Sequence, residues 1–269
     1  MASHLFFLDI DGTLLRGDSG IHQVVLDAAL AFRKAGGDIV LCTGRAPVST
    51  ERIVQRMGIT LPCILYCGAV LYDFGSKRAL ISRPMNDGVL DEIKKIMAEY
   101  PEVSIQAYTA DQIHMLHMTE HLQKYGVKEE HTPADNDVDK VRGGILKLVM
   151  TCKDPEILKL CRTRFLPEPH YNFAFSSRRF ADIVAGGASK AVMMQELLSR
   201  LNIPVGNTFS AGDAMTDYPM IEKSAYSFAP VDANPKILEI CDETIPVCEE
   251  GGAAVALQKA AKLITSHRD

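Results

Sequence analysis

His4-Leu5-Phe6-Phe7-Leu8-Asp9-Ile10-Asp11-Gly12-Thr13 decides the fold. A short apolar run with two phenylalanines reads as a strand buried on both faces, and it ends abruptly in two carboxylates and a turn glycine. Open parallel sheets place their ligands at the carboxyl ends of strands, where Asp9 and Asp11 fall. Two acids two residues apart are costly unless they bind a cation or share a proton. Outward from this strand, Val24, Val25, Ala28, Ala29 and Phe32 recur at helical spacing, and Gly36-Gly37 stops that helix. Ile39–Cys42 is a second buried run, a helix is expected from Pro47 to Gly58, and Cys63–Tyr66 is a third strand. This alternation predicts an α/β fold with a doubly wound parallel sheet.

The rhythm returns near the other end. A helix is expected over Lys190–Leu201 with Ser189 as its cap, then a strand at Thr208–Ala211 running into Gly212-Asp213. Tyr226–Ala229 reads as a strand, and Pro235–Ile240 and Ala253–Ile264 as helices. Between the halves the order changes. Helices at Val89–Tyr100 and Pro155–Phe165 are mixed with period-2 segments at Ser104–Tyr108, Ile113–Leu116, Ile145–Met150, Tyr171–Ser176 and Phe180–Val184. We therefore expect a discontinuous core domain, residues 1–82 and 183–269, with an inserted α+β domain over 83–182.

Composition narrows the function. The 269 residues are 47 % hydrophobic and 23 % charged, ordinary globular values, with 29 basic against 34 acidic residues and a net charge of -5. Without a basic block, neither nucleic acid nor an anionic membrane is favoured as a partner. No apolar run approaches the ~20 residues of a membrane span. The start lacks a basic n-region, and seven scattered cysteines form no disulfide framework; Cys63 and Cys67 lack metal-site partners. A cytoplasmic protein is expected.

Three further signals accompany Asp9 and Asp11. Thr43-Gly44-Arg45 follows the second strand, where a hydroxyl and a main-chain N–H beside a small residue suit a phosphate oxygen. Lys190 stands on the first turn of its helix, against the helix dipole, and calls for an anion nearby. Gly212-Asp213-Ala214-Met215-Thr216-Asp217 places two more carboxylates at a strand end. Taken singly, these also read as an acidic turn, a strand-end turn and a solvated lysine.

Together and in this order, Asp9-x-Asp11-Gly12-Thr13, Thr43-Gly44-Arg45, Lys190 and Gly212-Asp213-x-x-x-Asp217 resemble the four motifs of the haloacid dehalogenase superfamily. The insertion between the second and third motifs is similar to the large α/β cap of its Cof-type, subfamily IIB-like members. The resemblance implies a phosphatase acting on a small phosphorylated metabolite, a sugar phosphate or a phosphorylated cofactor. Asp9 would be the nucleophile and Asp11 the general acid and base. Mg²⁺ would be held by Asp9, Asp213 and the Asp11 main-chain carbonyl, with Asp217 orienting bound water or Lys190. Phosphate or substrate would be held by Gly12, Thr43, Gly44, Arg45, Lys190 and Thr216. A phosphomutase of the phosphomannomutase type and a non-catalytic phosphometabolite sensor are the alternatives. Cys67 and Thr216 stand where the Cof-type pattern usually has Asn. His114, His117 and His121 are read as ordinary histidines of the insert rather than a metal site, and Arg178-Arg179 as a solvated hairpin turn or a loop facing substrate.

Overall fold

The computed structural model describes residues 2–17, 20–110, 112–120, 122, 138–141, 144–165 and 170–266. The chain divides into two units, Met1–Ile81 with Lys190–Asp269, and Ser82–Ser189.

Among the described residues, the first unit is built on a five-stranded sheet. Its strands are β1 (His4–Leu8), β2 (Gly37–Leu41), β11 (Thr208–Ala211), β12 (Tyr226–Pro230) and β13 (Glu243–Ile245), in the order β13-β12-β11-β1-β2. Every pairing in it is parallel, and β1 lies centrally, with Phe7 opposite Val40 on one side and Ser210 on the other. Centrality explains the unbroken apolar run, because side chains on both faces of β1 need cover. Leu5 and Phe7 join Val40, Cys42, Met193, Leu197 and Met220 in one buried cluster. That cluster takes in the apolar side of the helix Lys190–Leu201. Phe6 faces the other way, 5.8 Å from Phe32 edge-on and 5.9 Å from Phe228 stacked. Phe32 comes from the helix Gln23–Lys34, whose buried residues recur at the spacing expected of it.

The chain leaves β2 through Cys42, which bridges in parallel to Ile64 of β3 (Cys63–Leu65). This strand is one residue shorter than its apolar run suggests. Tyr66 and Cys67 turn left-handed, with φ of 51° and 54°, and the chain returns through β4 (Val70–Asp73) and β5 (Arg78–Ser82). That short antiparallel addition was not expected from the sequence.

The second unit carries an antiparallel sheet in the order β7-β6-β8-β10-β9. The strands are β6 (Ser104–Tyr108), β7 (Ile113–His117), β8 (Lys147–Thr151), β9 (Tyr171–Ser177) and β10 (Phe180–Ala185). Phe165, at the end of the helix Pro155–Phe165, packs edge-on against Tyr171 at 5.3 Å. The expected boundary between Asp182 and Ile183 is corrected to Ser189/Lys190, because residues 180–185 are one strand. Asp182 opposes Val149, and Ile183 opposes Leu148, across the same antiparallel ladder. The other boundary differs by one residue, Ile81/Ser82. Arg178 and Arg179 form the exposed turn between β9 and β10. His114 is half-buried on β7, and the His117 ring bonds the Val103 carbonyl through Nδ1 at 2.7 Å. His121 lies outside the described residues.

Candidate active site

The parallel register of the first unit brings the ends of β1, β2 and β11 side by side, and with them Asp9, Thr43 and Asp213. Lys190 opens the helix that packs across this face. Its side chain is 1 % exposed, and Nζ donates to Asp9 Oδ1 at 2.6 Å and to Asp217 Oδ1 at 2.5 Å. The anion that a lysine at this position demands is thus the pair Asp9 and Asp217, 181 and 27 residues away in sequence.

Asp217 is fully buried, and its other oxygen accepts the N–H groups of Asp213 (3.1 Å) and Ala214 (3.0 Å). With three protein donors it ties Lys190 to the loop after β11. Asp213 receives the Thr13 hydroxyl at 3.0 Å. Gly12 fits close against it at a φ of +90°, and a Cβ there would lie 2.4 Å from Asp213 Oδ2. The glycine therefore serves close approach of the acid as much as any ligand. Gly212 makes the matching allowance for Asp217, whose Cβ a side chain at 212 would meet at 2.5 Å.

One carboxylate oxygen from each of Asp9, Asp213 and Asp217 can be chosen so that all lie within 4.8 Å of one another. Burial, with Asp217 nearby, holds the Asp9 carboxyl well above the usual range despite Lys190. Burial and Asp217 push Asp213 up to about 7, although the Thr13 hydrogen bond opposes them. Desolvation works against the Lys190 charge, but Asp217 and Asp9 outweigh it and hold the ammonium above its ordinary value. Once all three are ionised, the carboxylates leave two negative charges in excess over one ammonium, and the donors are hard oxygens. That donor set fits a hard divalent cation.

Asp11 does not join this cluster through its carboxylate. It is half-exposed and takes a two-bond fork from Arg45, Nε to Oδ2 at 2.8 Å and Nη2 to Oδ1 at 2.5 Å. As a metal ligand it is left with its main-chain carbonyl, and the Arg45 guanidinium is already committed within the protein. Thr43 is fully buried and accepts the Arg45 N–H at 3.2 Å through its hydroxyl, with Gly44 half-buried between them. Thr216 is partly exposed, and its hydroxyl has no hydrogen-bond partner among the described residues. It does not cap a helix: the helix Tyr218–Lys223 begins after Asp217.

The sequence marked Thr13 within the first motif and Cys67 as a departure from the Cof-type pattern, but gave neither a partner. Thr13 belongs to the quoted motif, but its role depends on Asp213, 200 residues on. Cys67 is buried beside the site, and its N–H donates to the Thr43 carbonyl at 3.0 Å. Its left-handed φ disfavours most residues by roughly 1–2 kcal/mol, whereas Asn, the usual Cof-type residue, adopts it readily.

The chain matches the haloacid dehalogenase-like hydrolase family over residues 6–257 and belongs to it. It is a hydrolase by family, and its curated relatives carry phosphatase names. The 5-amino-6-(5-phospho-D-ribitylamino)uracil phosphatase YitU of Bacillus subtilis is 23 % identical, covering 95 % of this chain and 97 % of its own. The pyridoxal phosphate phosphatase YbhA of Escherichia coli is also 23 % identical, over 88 % and 91 %. Among solved structures, the subclass IIB sugar phosphatase BT4131 superposes with a TM-score of 0.82 at 19 % identity, over 95 % of this chain and 98 % of its own. No helix among the described residues is long and apolar enough to cross a membrane.

Proposed function

We propose that this chain hydrolyses the phosphate monoester of a small metabolite, a sugar phosphate or a phosphorylated cofactor, through an aspartyl-phosphate on Asp9 with Mg²⁺ as cofactor. The observation that carries it is the clamp of Lys190 on Asp9 inside a three-carboxylate cluster of which Asp9 and Asp217 are buried. Asp9 attacks phosphorus, and the bond to the leaving oxygen breaks as Asp11 supplies that oxygen with a proton. Water then attacks phosphorus and gives its proton to Asp11. The electron pair of the phosphorus–oxygen bond returns to Asp9, and inorganic phosphate leaves. Lys190 and the main-chain amides near Gly12 and Gly44 hold the phosphoryl oxygens as charge spreads over them. Asp9, Asp213 and the Asp11 carbonyl would hold Mg²⁺, which when bound supplies further positive charge to those oxygens.

The names of YitU and YbhA and the likeness to a sugar phosphatase support a small phosphorylated substrate. The net charge of -5 supports a small molecule over a polyanion. A phosphate-release screen over a metabolite panel, with and without Mg²⁺ and without a bisphosphate activator, tests the reading. Asp9→Asn should abolish release and leave the circular dichroism spectrum unchanged. Full activity in purified Asp9→Asn protein would remove the covalent mechanism.

A further inference from the structure

Arg45 is held at several points. Its N–H donates to Thr43 Oγ1 at 3.2 Å, Nη1 reaches the Ser49 carbonyl at 3.4 Å, and its own carbonyl accepts the Tyr66 N–H at 3.3 Å. Its side chain is 22 % exposed. A loose surface pair has little preference for one geometry, but an anchored guanidinium that forks onto both oxygens fixes the plane of a carboxylate. Each oxygen of Asp11 spends one acceptor site on the fork and keeps another.

We propose that Arg45 is a positioning residue for Asp11, holding its carboxylate oriented to take a proton from water while the aspartyl-phosphate is hydrolysed. The inference rests on the reaction proposed above and reassigns Arg45 from holding phosphate to orienting the base. In this step the water oxygen bonds to phosphorus, the water proton moves to a remaining lone pair of Asp11, and the phosphorus–oxygen bond to Asp9 breaks with its electrons on Asp9. No other reactant is needed. Transfer from an aryl phosphate to Asp9 makes no such demand, because the aryl oxide leaves without a proton. The two half-reactions should therefore differ in their need for Arg45.

The test is rapid-quench kinetics on p-nitrophenyl phosphate, with p-nitrophenolate and inorganic phosphate followed separately in the wild-type chain, Arg45→Gln and Arg45→Lys. A positioned acid–base group contributes 10²–10⁴-fold, and mispositioning forfeits part of it. The ratio of phosphate release to aryl release should fall roughly 10- to 100-fold in Arg45→Gln. The intermediate then accumulates, and kcat and KM fall together. Arg45→Lys keeps the charge without the fork and should show the same imbalance to a smaller degree. In an Asp11→Ala background, adding Arg45→Gln should change the ratio little, because the group it positions is gone. A KM that rises with the two release rates still in step would make Arg45 a phosphate ligand and overturn the inference. An equal loss with and without Asp11 would overturn it too. A wild-type chain that releases neither product would defeat the proposed reaction itself, and the inference with it.

Discussion

Replacing Lys190 by Met keeps the aliphatic stem and removes the one cation among three carboxylates. The ligand-atom separations in that cluster are at most 4.8 Å. At an effective dielectric constant of about 20, two unit charges at ~4.8 Å repel by about 3.5 kcal/mol. The variant has a cheaper escape, which is to protonate one acid. Referred to an ordinary aspartate pKa of about 4, that costs at most roughly 4 kcal/mol at pH 7 and about 1.4 kcal/mol at pH 5. The cost is less at Asp9 and Asp213, which the fold already raises. The two routes set an upper bound of about 3–4 kcal/mol on the destabilisation at pH 7, in line with the ~3–5 kcal/mol typical of breaking a buried ion pair. The loss should shrink by about half or more at pH 5 and should be partly recovered by added Mg²⁺. Because the chain has no Trp, urea unfolding is best followed by far-ultraviolet circular dichroism at the two pH values. Activity should fall roughly 10²–10³-fold or more, as on removal of a positioned donor. A Lys190→Met protein within 1 kcal/mol of wild type at both pH values would refute the argument, since its two buried carboxylate partners would then need no cation.

Asp9 and Asp213 are raised in the folded chain, so between about pH 4 and 7 the folded state binds more protons than the unfolded one. Their contribution to stability therefore falls as pH rises through that window, and a cation must displace those protons. The Tm gain on adding Mg²⁺ should be small at pH 5.5 and grow towards pH 8; an equal gain at both would count against these ligands. Gly12→Ala meets both the +90° φ and the 2.4 Å approach to Asp213 Oδ2, and should weaken Mg²⁺ binding measured by calorimetry at least tenfold. Unchanged affinity would mean the loop yields freely. Thr216→Asn adds reach and a second donor, and one net hydrogen bond of about 0.5–1.5 kcal/mol should lower KM a few-fold to about tenfold with kcat little changed. A lowered Tm with unchanged KM would point to packing instead.

The sequence by itself determined what short-range periodicity encodes. The doubly buried run at Leu5–Leu8, the helical spacing of Val25, Ala28 and Phe32, and the acids placed just after strand ends are all local patterns, and the first two recur in β1 and the helix after it. Their order was also enough to state the family resemblance. It missed β4 and β5, where half-exposed residues around Asp73 and Lys77 carry little apolar contrast, and although it read Phe180–Val184 as one strand, it set a domain boundary inside it, after Asp182. Asp182 sits inside that strand because Lys147 neutralises it at 2.7 Å, a partner 35 residues back on another strand. The tertiary structure decided the pairings in the same way. Lys190 could not be assigned to Asp9 and Asp217, Thr13 to Asp213, or Arg45 to Asp11 from spacing, since each pair is fixed by how strands align and helices pack across hundreds of intervening atoms. A residue's type limits which charges and hydrogen bonds it can offer; only the closed fold sets the few ångströms and the low dielectric that decide which of them are made.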